Sequence, residues 1–162
     1  MRVAITLLSA VTLLFYARAA LAAEHENQDG RLFEPHEIQW QAGPKSIPPG
    51  ATLAVLEGDP AKEGPFAMRL RLPEGYKIPA HTHPKVERVT VISGTFNIVM
   101  GDKLDPRDAR KMRAGSFGYW AAGMKHLVWA EGETVVQLHG IGPWSINYVN
   151  AADDPRNKAA RN

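Results

Sequence analysis

The 162-residue chain contains no cysteine. That excludes disulfides, a thiolate zinc site, a thiol nucleophile and lipid attachment at an N-terminal cysteine. An exported chain without disulfides must be held by its core, by an oligomer interface or by a metal. Beyond the first segment there is no long hydrophobic run, and no stretch carries helical periodicity over several turns. Internal repeats and low-complexity tracts are also absent. What is abundant is punctuation: 14 Gly and 12 Pro, as a fold of short strands and tight turns requires. With 44% hydrophobic and 22% charged residues, the chain has ordinary globular composition, and its length suits one domain with short appendages.

Residues 1–22 read as a secretory signal peptide. Arg2 supplies a positive start, Val3 to Tyr16 is nearly all apolar, and Ala20-Leu21-Ala22 offers a small-x-small cleavage site. A membrane anchor would need roughly 20 apolar residues, and Arg18 interrupts this run too early. The expected location is periplasmic or secreted, with no stable membrane span after cleavage. Twin arginines are lacking, so export would proceed unfolded and the protein would acquire any metal outside the cytoplasm. Cleavage removes Arg2 and Arg18 from 19 basic residues and leaves 17, equal to the 17 acids. The mature charge is therefore near zero and scattered, which excludes the basic patch a nucleic-acid partner would want.

Past a polar stretch at Ala23–Gly30, short β-like runs are predicted at Thr52–Glu57, Phe66–Leu72, Glu87–Ser93, Thr95–Met100, Phe117–Trp120, His126–Ala130 and Thr134–His139. Glu131-Gly132 reads as a hairpin turn between the last two. Asp105-Pro106-Arg107-Asp108 reads as the capped start of a single helical turn. The chain divides into a strap at 23–48, a domain at 49–150 and a polar tail at 151–162.

The chemistry concentrates in Gly75-Tyr-Lys-Ile-Pro-Ala-His81-Thr-His83-Pro-Lys-Val-Glu87. Side chains at i and i+2 of a strand share a face, so His81 and His83 can grip one ion. Pro84 breaks the ladder, and Glu87 opens the next strand with Val89 and Val91 on its own face. Gly115 to His126 supplies a fourth ligand: a strand, a turn at Gly123, then His126 opening another strand. Three imidazoles and a carboxylate suit one divalent transition metal, whether Mn, Fe, Co, Ni, Cu or Zn.

These two stretches resemble the two motifs of the cupin superfamily. Gly75, His81, His83, Glu87 and Gly94 match the first, and Gly115, Gly123 and His126 match the second. Ala121 and Ala130 stand where that motif usually has Pro and Asn. The resemblance spans roughly Pro49 to Asn150 and implies an all-β jelly-roll barrel, with His81, His83, Glu87 and His126 holding a metal inside one open end.

Outside the ligands, Gln137 and His139 share one face of their strand. They lie either on the pocket wall, as partners of the ligands or proton carriers, or on the solvent face; alternation alone does not say which. Tyr119, Trp120, Trp129 and Trp144 are candidates for lining a pocket. His25 and His36 precede the barrel, and Lys85 and Lys125 read as surface lysines. The reading for function is a metal-dependent enzyme on a small oxygen-rich molecule, of dioxygenase, isomerase or lyase type. The alternative is a binding module that captures a metabolite or metal without turnover. A homodimer through sheet edges or a swapped N-terminal strand, with Phe33–Pro49 and Trp40 as the exchanged segment, is the expected assembly.

Overall fold

Alternation of apolar and polar residues builds the walls. A computed structural model of the protein describes residues 30–159, and its larger compact unit begins at Pro35. In β3 (Gly64–Leu72), Phe66, Met68, Leu70 and Leu72 are buried while Ala67, Arg69 and Arg71 face outward. The other strands are β1 (Gln41–Ala42), β2 (Thr52–Glu57), β4 (Lys77–Thr82), β5 (Glu87–Met100), β6 (Arg110–Arg113), β7 (Phe117–Trp120), β8 (His126–Gly142) and β9 (Asn147–Tyr148). All pair antiparallel, in the order β1-β2-β3-β8-β4-β9, with β5 joining β6, β7 and β8.

Two strands are shared by both walls. The C-terminal half of β8 lies between β3 and the first half of β5, which also carries β7. The N-terminal half of β8 lies between β4 and the second half of β5, which also carries β6. The result is the jelly roll that the motifs imply, with Leu72, Val89, Val91, Ile98 and Val136 at 1–2% exposure between the walls.

The turn expected at Glu131-Gly132 is not a hairpin. β8 runs through it without reversing, and β5 likewise continues through Gly94, joining two runs read as separate. Both strands bend here. Gly94 has φ +76°, and a Cβ on it would stand 2.4 Å from the carbonyl oxygen of Glu133 and 2.5 Å from Thr134 Oγ1. Buried Thr134 accepts the Thr95 amide at 3.1 Å, replacing a ladder bond that the bend removes. β6, Arg-Lys-Met-Arg, with three charged residues of four, lies outside the predicted runs; Phe96↔Met112 pairing anchors it as an edge.

The helical turn at Pro106–Asp108 is capped by Asp105, whose carboxylate accepts the Arg107 amide at 2.9 Å. The strap folds back on its own chain. Gln41–Ala42 pairs with β2, Trp40 lies 4.2 Å below the Arg71 guanidinium, and the tyrosine hydroxyls of Tyr76 and Tyr148 donate to the carbonyls of Pro48 and Ser46. The tail forms a 3-10 turn at Ala151–Asp153 and a short helix, α1 (Pro155–Ala159), and the Arg156 guanidinium donates to the Ile146 carbonyl at 3.2 Å. Among the described residues no helix is long and apolar enough to cross a membrane. The signal segment and His25 lie outside them.

Candidate metal centre

His81 lies near the end of β4 opposite His126, which opens β8. The register slips between Ile78 and His81, so a β-bulge turns both residues inward although they are three apart. His83 follows in the turn and shares the face of His81, as the His-x-His spacing requires. Glu87 opens β5. All four side chains are buried, at 1–6% exposure.

Each imidazole is oriented from behind. Nδ1 of His81, His83 and His126 lies 2.7, 2.7 and 3.0 Å from the carbonyl oxygens of Pro79, Ser145 and Met124. A carbonyl only accepts, so each Nδ1 carries the proton and each Nε2 presents a lone pair to the interior. The three histidines offer ligand nitrogens within 4.8 Å of one another. Trp144 stacks on His83 at 4.0 Å between ring centroids and 17° between planes, holding that ring in place.

Glu87 faces the same point. Its Oε2 lies 3.3 Å from His83 Nε2 and 3.2 Å from His126 Nε2, and it accepts Trp120 Nε1 at 2.5 Å. His83 Nε2 is buried without a hydrogen-bond partner. Lone pairs of two imidazoles and a carboxylate that converge in this way repel one another unless a cation lies between them. The donor set therefore fits one divalent transition metal. Electrostatics agree: burial, then the neighbouring His126 and His83 rings, pushes His81 down to about 3, so that it stays neutral. Glu87 is buried, and the Trp120 Nε1 donor is the hydrogen bond that favours its charged form.

These four side chains form one end of a cavity of about 200 Å³ that fills the barrel. Its walls are the inward residues of β3, β5 and β8, among them Met68, Leu70, Val89, Phe96, Val136 and Leu138. The strap contributes Pro44, Ser46 and Ile47, and Trp144 and Ser145 complete it beside His83.

The remaining candidates lie elsewhere. Val136 and Leu138 line the cavity, so Gln137 and His139 point to the outer face of the sheet. There Gln137 accepts Arg69 Nε at 3.0 Å and His139 stacks on Phe117. Tyr119 is 71% exposed, Trp129 is half-buried outside the barrel, and His36 is exposed. Lys85 and Lys125 pair with Glu63 and Asp102 at the surface. Of the four aromatic candidates, only Trp144 lines the cavity; Trp120 reaches the site through Glu87. The sequence carried no signal for the Ser145 carbonyl, which lies 62 positions from the ring it orients.

No curated protein matches the chain. Solved structures share its fold at low identity. The polyketide cyclase RemF from Streptomyces resistomycificus superposes with a TM-score of 0.61 at 13% identity, over 82% of this chain and 94% of that one. An acetylacetone dioxygenase from Acinetobacter johnsonii gives 0.56 at 16%, over 79% and 85%. A cupin-like protein from Thermotoga maritima gives 0.56 at 16%, over 76% and 94%. A family model, the ChrR cupin-like domain, matches residues 28–145. With that match spanning both histidine stretches and the jelly roll, the chain belongs to the ChrR cupin-like family of the cupin superfamily.

Proposed function

We propose that the protein is a metal-dependent enzyme acting on a small molecule, of dioxygenase, isomerase or lyase type. The observation that carries this is the convergence of three carbonyl-oriented Nε2 atoms and one carboxylate at the end of a cavity large enough for a ligand. His81, His83 and His126 would hold one divalent transition metal, with Glu87 as fourth ligand or as the adjacent proton acceptor. Such an ion supplies Lewis-acid polarisation of a ligating oxygen. The chain's own contribution is to orient and to exclude water. The apolar walls keep solvent from the reacting end, Trp144 fixes His83, and Trp120 holds Glu87 ionised and aimed at the site. Glu87 is the one carboxylate among the cavity-lining residues, which makes it the group that accepts or returns a proton.

A non-catalytic binding module is the second reading. It is favoured by the placement of His139, Gln137 and Tyr119 outside the cavity, which leaves Glu87 alone for proton transfer. Elemental analysis of the purified chain, beside His83→Ala and His126→Ala, tests the common premise. About one equivalent of metal, lost in both variants, supports it, and turnover in an oxygen-uptake or isomerisation screen separates enzyme from module. Metal-free wild type after reloading would end the enzyme reading and leave a metabolite-binding module as the better account.

Export to the periplasm or beyond is proposed on the residue 1–22 pattern. For assembly, a second copy is the proposed partner of the outer face of β5, β7 and β8, which exposes Ile92, Phe117, Tyr119 and Ile141. Arg88 and Glu57 line a shallow groove on this face without ion pairs among the described residues, so a two-fold mate can match opposite charges.

A further inference from the structure

We infer that the cavity selects an amphiphile: a small molecule whose oxygen donors sit at one end only and whose remaining body is apolar. This deepens the metal-dependent reading and rests on it. The cavity has one polar end. Among the described residues no Lys, Arg or Asp lines it, and Glu87 already accepts from Trp120. Two backbone carbonyls beside the cavity are engaged within the chain. The Ser145 carbonyl takes the His83 Nδ1 proton, and the Ser46 carbonyl takes the Tyr148 hydroxyl. Among the described residues, His83 Nε2 is the sole buried side-chain atom lining the cavity without a partner, and it belongs to the ligand end.

Beyond that end the described lining is hydrocarbon except for Ser46. Met68, Leu70, Phe96 and Leu138 enclose the body of a ligand, and Pro44 and Ile47 of the strap together with Pro60 and Ala61 continue the apolar surface. A sugar acid or polyol would bring more hydroxyls than Ser46 can partner, and each stripped hydroxyl weakens binding. A second carboxylate at the far end would be buried without a counter-charge. At about 200 Å³ the space is smaller than the roughly 300–1,000 Å³ of drug-sized sites, which limits the body to a short alkyl chain or a single ring.

The test uses straight-chain hydroxamates from acetohydroxamate to hexanohydroxamate, whose shared head ligates metals through two oxygens. Gluconohydroxamate serves as the six-carbon chain hydroxylated along its length. Dissociation constants are measured by titration calorimetry on the zinc-loaded full chain and again after zinc removal. Affinity is expected to rise about fourfold per methylene until the cavity is filled, with gluconohydroxamate weaker than hexanohydroxamate by on the order of 100-fold. Val136→Phe, which fills part of the cavity, should end the rise at a shorter chain.

A flat series, gluconohydroxamate binding as tightly as hexanohydroxamate, or no hydroxamate binding at all would overturn the inference. If all hydroxamates bind alike and only with zinc present, the apolar-body assignment fails while the metal reading stands. If the chain-length rise persists unchanged without zinc, the assignment of the body stands and the metal reading fails.

Discussion

Gly94→Ala sets the cost of bending a shared strand against that of a bend in open space. At Gly94 the new Cβ meets two obstacles. The backbone sits at φ +76°, where a side chain costs about 1–2 kcal/mol. The methyl would also stand 2.4 Å from the Glu133 carbonyl oxygen and 2.8 Å from Thr134 Cα. These are backbone atoms in the middle of β8, so relief requires the two strands to part, and overpacking of that kind costs about 1–3 kcal/mol. The sum is about 2–5 kcal/mol, out of total stabilities of about 5–15. Gly132, on the facing strand, has φ +73° but open space where its Cβ would go. Gly132→Ala should therefore cost only the conformational part, about 1–2 kcal/mol. At about 3–4 °C per kcal/mol for a domain of this size, Gly94→Ala should lower Tm by about 6–20 °C and Gly132→Ala by about 3–8 °C. Thermal and urea unfolding followed by circular dichroism reads both. Two variants within about 0.5 kcal/mol of each other would refute the claim that close approach of β5 to β8 fixes this bend.

Other perturbations bear on the site and its cover. Trp120→Phe removes the donor to Glu87 while keeping an aromatic ring, and metal affinity should fall about 10–100-fold without loss of fold, by competition with a chromophoric chelator. Tyr148→Phe removes the hydroxyl bonded to Ser46 and should speed proteolysis near Lys45 while leaving metal content unchanged; unaltered cleavage would count against the strap being held there. The phenol of Tyr148 is pushed up to about 12, by burial first and then by the charge of Asp154. A raised folded value means the neutral form is favoured in the fold. Its contribution is thus fully present below the unfolded value of about 10 and is lost as pH rises towards 12; urea midpoints in wild type should fall across that window more steeply than in Tyr148→Phe. Phe117→Asp should shift a dimer to monomer in sedimentation, and a monomeric wild type would end that proposal.

The convergence of His81, His83 and Glu87 was legible because its spacing is local: His81-x-His83 shares a face, and Glu87 opens the strand beyond Pro84. His126 was legible through the glycine turn before it. What escaped the sequence was whatever depends on register. The bulge that turns His81 inward with Ile78 leaves no mark in alternation. Whether Gln137 and His139 faced the cavity could not be read from a period-two pattern, since it labels faces without saying which is covered; Val136 and Leu138 took the inside. Gly94 and Gly132 looked like stops because glycine usually ends a strand, whereas here it lets one strand serve two walls. Trp144 on His83 and Trp120 on Glu87 join distant segments, so no local motif announces them.

The carbonyl that orients His83 belongs to Ser145, and the phenol that holds the strap at Ser46 belongs to Tyr148, 102 positions later in the chain. A polypeptide emerging from its N-terminus has therefore displayed both histidines of the first motif long before either fastening exists. Until that last tenth of the chain arrives, His83 is free to rotate and to exchange its proton between nitrogens. Order of emergence thus acts as a timer: a lasting grip on an ion belongs to the finished chain, and a growing one can only bind in passing.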